Sequence, residues 1–200
     1  MKWLENITDK DKLQENLTFA SLYIAIYEHM TDYVVSNLKA ILCDWKIEDG
    51  KEIYTDTDVY KNEIKNRIVD EKGNKDITKA SFLWLVDNDA IVEKDYQLFL
   101  DAKDLRNRYA HELTTVMYQG IAENDVKVFF EMFEMYQRIT KWGFVNFEAT
   151  IMGEELPENI DFDQVQTTAN IMFGMILEVL YNGKSDEYKT FIKLLKKEND

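Results

Sequence analysis

Turn residues, thiols, imidazoles and positive charge are all scarce in this chain. Cys43 is the single cysteine in 200 residues, so an internal disulfide is excluded, and no Cys/His cluster has the spacing of a structural zinc site. A reducing, cytoplasmic setting is the expectation. Seven glycines and one proline stand where average usage gives roughly 24, too few for the turns of a β-sandwich or barrel. Lys and Arg number 24 against 38 Asp and Glu, a net charge of −14, which excludes a protein that coats nucleic acid with a broad basic surface. No apolar run reaches about 18 residues, and the opening Met1-Lys2-Trp3-Leu4-Glu5 meets charge at once, so neither a secretion signal nor a membrane span is predicted.

What is present is helical pattern. A 46% hydrophobic composition suffices to bury a core in one domain over 1–200. Leu17, Leu22, Ile26, Met30, Tyr33, Val34, Leu38, Ile41, Leu42 and Trp45 recur every three or four positions, predicting a long amphipathic helix over 13–45. Asp9 or Asp11 would cap it and Gly50 would mark the break beyond it. Residues 46–77 are polar and read as an insertion or flap with a short helix near 59–69. Further helices are expected over 78–86, 93–113, 125–147 and 163–181, with a last one in 184–200. The stretch 148–163, with six acids, no base and the one proline, reads as a loop. The expectation is all-α, a bundle of five to seven helices with a polar insertion after the first long one.

The two histidines, His29 and His111, narrow any search for acid–base chemistry near neutral pH. His29 lies on the stripe Leu22, Ile26, His29, Tyr33 beside Glu28. That place suits a hydrogen-bonded histidine at the core edge, with cleft lining the alternative. His111 ends Asp104-Leu105-Arg106-Asn107-Arg108-Tyr109-Ala110-His111-Glu112-Leu113, an unusual density of polar groups. Asn107, four residues earlier on a helix, shares its face and is placed to hold one imidazole tautomer. Arg106 is five residues away, about 140° around the axis. A two-fold axis joining two copies would bring imidazoles and guanidiniums together, a set suited to RNA cleavage without a metal.

Arg106-Asn107-Arg108-Tyr109-Ala110-His111 resembles the Arg-x4-6-His motif of the HEPN superfamily, in its Arg-Asn-x-x-x-His form near the end of a bundle helix. HEPN proteins are all-α and usually dimeric. Many are metal-independent endoribonucleases of toxin–antitoxin, abortive-infection and CRISPR-associated systems, with the motif at the dimer interface. The resemblance implies that Arg106 and His111 are catalytic, that Asn107 supports them, and that no metal or cofactor takes part. It also implies RNA as substrate, a homodimer with the motif at its two-fold axis, and an antitoxin or activating protein as partner. Other members bind RNA, nucleotide or protein without cutting, which is the alternative function.

Around that pair, Arg108 is expected to contact phosphate or to pair with Asp104, four residues earlier. Tyr109 is expected in core or interface, with base stacking the alternative. Lys103, Arg106 and Arg108, opposed within 103–111 only by Asp104, would form a small positive cleft, with binding outside it weak and sensitive to salt. Lys189, Lys193, Lys196 and Lys197 form a basic stripe, read as a solvated face with RNA tracking the sharper alternative. Asp87, Asp89, Glu93 and Asp95 read as a solvated turn rather than a magnesium site.

Overall fold

Asp9 opens the longest helix. Its side chain accepts from the backbone N–H groups of Asp11 (3.0 Å) and Lys12 (3.1 Å), satisfying donors that a helix start leaves unpaired. The computed structural model describes residues 2–149, 161 and 166–182. Eight α-helices and one two-stranded sheet make up those residues, the all-α class expected. Residues 1–139 and 140–200 form two compact units.

In the first unit α1 (Lys2–Thr8) precedes α2 (Lys10–Leu42). At ~1.5 Å per residue α2 is about 50 Å long, and it buries Ala20, Tyr23, Ile26, Tyr27, Met30, Val34 and Leu38. The apolar period that predicted it continues to Trp45, but the helix stops at Leu42. Cys43 is extended, and Trp45 is in a strand. Strands β1 (Asp44–Glu48) and β2 (Lys51–Thr55) pair antiparallel in the register Trp45 to Tyr54 and Ile47 to Glu52. Asp49 (φ 51°) and Gly50 (φ 72°) turn the hairpin, in the left-handed conformation that an Asp-Gly pair adopts readily. Gly50 is therefore a hairpin turn rather than a helix terminator. The rest of the 46–77 segment holds α3 (Asp58–Tyr60), capped by the Thr57 hydroxyl, and a π-turn at Lys61–Lys65.

The helices α4 (Ile77–Asp87), α5 (Glu93–His111), α6 (Leu113–Gln119) and α7 (Glu123–Gly143) follow. Helices α4, α5 and α6 pack on α2, and α1 packs on α6. Phe82 stacks on Phe99 with ring centroids 3.9 Å apart. Tyr23, Tyr109, Phe19 and Phe129 form a second aromatic cluster between α2, α5 and α7. On α7, Phe129, Met132, Phe133, Met135, Tyr136 and Ile139 are buried.

In the second unit a π-turn spans Phe144–Glu148, and α8 covers Thr168–Asn182. The Asn170 side-chain amide donates to the Thr140 hydroxyl at 3.1 Å. The expected helix in 184–200, its lysine stripe and most of the 148–163 loop lie outside the described residues. Among the described residues no helix is long and apolar enough to cross a membrane.

Candidate functional site

Helix α5 carries every residue of the Arg106–His111 string. Phe99, Ala102, Leu105 and Tyr109 bury one side of it, and the Tyr23 hydroxyl on α2 donates to the Ala102 carbonyl at 3.3 Å. That face fixes the helix rotation, so the polar residues between those positions fall at its margins and on its outer side.

Arg106 is at the margin facing α2. Its Nε donates to Glu28 Oε1 at 2.5 Å, its Nη2 pairs with the same oxygen, and its Nη1 donates to Asn107 Oδ1 at 3.1 Å. Asn107 thus holds the guanidinium, not the imidazole expected of it. No hydrogen bond joins Asn107 or Arg106 to His111 among the described residues. His111 is the last residue of α5 and is exposed.

Arg108 reaches forward to α7 rather than back to Asp104: its Nη2 pairs with Asp125 Oδ2. The Tyr109 hydroxyl donates to the same oxygen at 2.8 Å, and the Ala122 N–H at 3.4 Å. Asp125 is buried, and three donors on one carboxylate oxygen are what a buried charge requires. Burial pushes the Tyr109 phenol well above its usual range, and the neighbouring Asp125 carboxylate pushes it further. Burial works against the Arg108 charge, but Asp125 outweighs it and holds the guanidinium more firmly protonated than usual. Tyr109 is only 1% exposed, which places it in the core and removes it as a stacking surface for RNA.

Lys103 pairs with Asp76 at 3.2 Å. The sequence therefore misleads about charge: each of the three cations is met by a carboxylate from another element, Asp76, Glu28 or Asp125. Those partners lie 27, 78 and 17 positions away in the chain, and no local spacing announces them. Glu28 adjoins His29, which is exposed on α2 with its ring edge-on to Tyr136 at 5.8 Å.

Two acids of the Asp87–Asp95 stretch have structural work. Asp87 pairs with Arg67 at 2.7 Å. Asp95 accepts from the Val92 N–H at 3.2 Å and from Arg138 at 2.7 Å. Among the described residues no three His, Cys, Asp or Glu side chains converge on a metal site. Compared with protein-family models, curated proteins and solved structures, the chain matches none.

Proposed function

We propose that the chain is a HEPN-type, metal-independent endoribonuclease, acting as a toxin or antiphage effector in the cytoplasm. The observation that carries this reading is the Arg106-Asn107-Arg108-Tyr109-Ala110-His111 string on the last turns of α5, with the imidazole of His111 presented to solvent. In the reaction the RNA 2′-oxygen attacks the adjacent phosphorus and the bond to the 5′-oxygen breaks, leaving a 2′,3′-cyclic phosphate and a 5′-hydroxyl. An imidazole removes the 2′-hydroxyl proton, and an imidazolium returns one to the departing oxygen. His111 from each of two copies supplies these two groups, and Arg106 stabilises the charged phosphorane. The Glu28 pairing is consistent with a resting chain whose clamp is held until RNA, an activating protein or loss of an antitoxin frees it.

A second reading has a specific observation behind it. Lys103, Arg106 and Arg108 all pair within the chain, as they would in a non-catalytic HEPN-like module that binds RNA, nucleotide or protein.

Total RNA incubated in EDTA with the wild-type protein, Arg106→Ala and His111→Ala separates the two. The ribonuclease reading expects cyclic-phosphate ends from wild type and at least about 100-fold less cleavage from either variant. Undiminished cleavage by His111→Ala, or cleavage only when a divalent metal is added, sinks the mechanism. Wild-type protein that binds RNA and never cuts it supports the module.

A further inference from the structure

Helix α5 does not simply end at His111. Glu112 bends the chain, yet its N–H bonds to the Arg108 carbonyl at 2.8 Å and the Val116 N–H bonds to the Glu112 carbonyl at 3.1 Å. Tyr109 on α5 and Val116 on α6, seven positions apart, are both buried. The positions two further on, His111 and Tyr118, are both exposed. Thr115 is exposed as well, and so is Arg108, whose guanidinium is held by Asp125.

These exposed positions read imidazole, hydroxyl, phenol. Trp3 on α1 extends the set, meeting the Tyr118 ring edge-on with centroids 6.1 Å apart. Both residues are exposed, 47% for Trp3 and 43% for Tyr118.

We infer that Trp3 and Tyr118 form a stacking subsite for an unpaired RNA base, on an exposed α5–α6 surface that carries a single strand past His111. The inference rests on the ribonuclease reading of His111 and deepens it by naming single-stranded RNA as the form bound. The core of a protein-docking face is mainly apolar. Here the exposed positions of α5 and α6 near the two rings carry a hydroxyl and an imidazole, Thr115 and His111, a mixture of π-faces and donors by which single strands are held. A duplex keeps its base faces stacked and offers neither ring a partner. Stacking also needs no positive charge, so it supplies affinity that a chain of net charge −14 withholds at long range.

The test uses a 2′-O-methyl RNA decamer, which lacks the attacking hydroxyl, and an abasic decamer of the same charge. Both are titrated by fluorescence anisotropy against wild type, Trp3→Ala, Tyr118→Ala, Trp3→Phe and Tyr118→Phe. The alanine variants are expected to bind the base-bearing decamer roughly 5- to 100-fold more weakly. The phenylalanine variants should recover most of the loss, and wild type should bind the abasic decamer as poorly as the alanine variants bind the other. Wild-type affinity in the alanine variants overturns the subsite and leaves the ribonuclease reading standing. Equal weakening by alanine and phenylalanine, or a loss of self-association without loss of RNA binding, marks the rings as a brace or a protein contact and also overturns it. If no protein binds either decamer the subsite falls, and wild-type RNA cleavage then decides whether the ribonuclease reading falls with it.

Discussion

Asp76 does two jobs with one carboxylate. Its Oδ1 caps α4 by accepting from the Lys79 N–H at 2.9 Å, and its Oδ2 receives Lys103 on α5. Partial burial works against its charge, but the Lys79 N–H and the Lys103 ammonium outweigh that and hold the carboxyl below its usual range. A carboxyl with a folded-state pKa below its unfolded value contributes stability that is present above about pH 4 and lost as pH falls through the folded value. Asp76→Asn keeps a capping acceptor and removes only the charge. It should lower stability at pH 7 by up to about 1 kcal/mol, since the pair is part-exposed. Urea midpoints of the two proteins should converge as pH falls below about 4, and a gap that persists at pH 2 would refute this account.

At the scale of elements, Gly120 shows what a short connection demands. It closes α6 with φ 78° and ψ 177°, a conformation open in practice only to glycine. A Cβ there would stand 3.1 Å from the Asn6 side-chain nitrogen, which donates to the Tyr118 carbonyl at 2.8 Å. Gly120→Ala should therefore cost about 1–3 kcal/mol in urea unfolding and loosen α1 from α6. Gly73→Ala, also at positive φ but with nothing within 4 Å of the added carbon, should cost less. Equal losses would show that the contact with Asn6 contributes nothing.

Legibility in the sequence followed element length. Helices α2, α5 and α7 run over 33, 19 and 21 residues, long enough for an apolar period to show. Helices α1 and α6 have seven residues each, under two full turns, and leave no such mark. The strands were hidden by exposure: apart from a half-buried Tyr54, every residue of the hairpin is exposed, so no alternation of buried and exposed positions exists. Asp49-Gly50 was the visible signal, obscured by the charges around it. The Arg106–His111 string was legible because it is local, whereas Glu28 and Asp125 reach it only through the packing of α2 and α7.

For the whole molecule, the pairing of Lys103, Arg106 and Arg108 with carboxylates changes what acidity means. A positive cleft in an acidic chain would bind RNA with strong salt dependence. With its cations partnered, the α5 margin can neutralise one or two phosphates, and each contributes about 0.7 to the slope of log affinity against log salt for a single strand. Binding of a non-cleavable RNA between roughly 50 and 200 mM salt should therefore give a slope between about −0.7 and −1.4. A slope steeper than about −3 would mean that further cations reach the strand. The hairpin has a separate consequence for the architecture. Its tip at Asp49-Gly50 stands between α2 and α3 in the chain, and the flanking strand residues, Glu48 and Lys51, are exposed and pair with each other across the turn, Glu48 also meeting Lys46 on its own strand. The polypeptide can be opened there at little expense, which makes this turn the natural point at which to insert a reporter or to divide the protein into two complementing fragments.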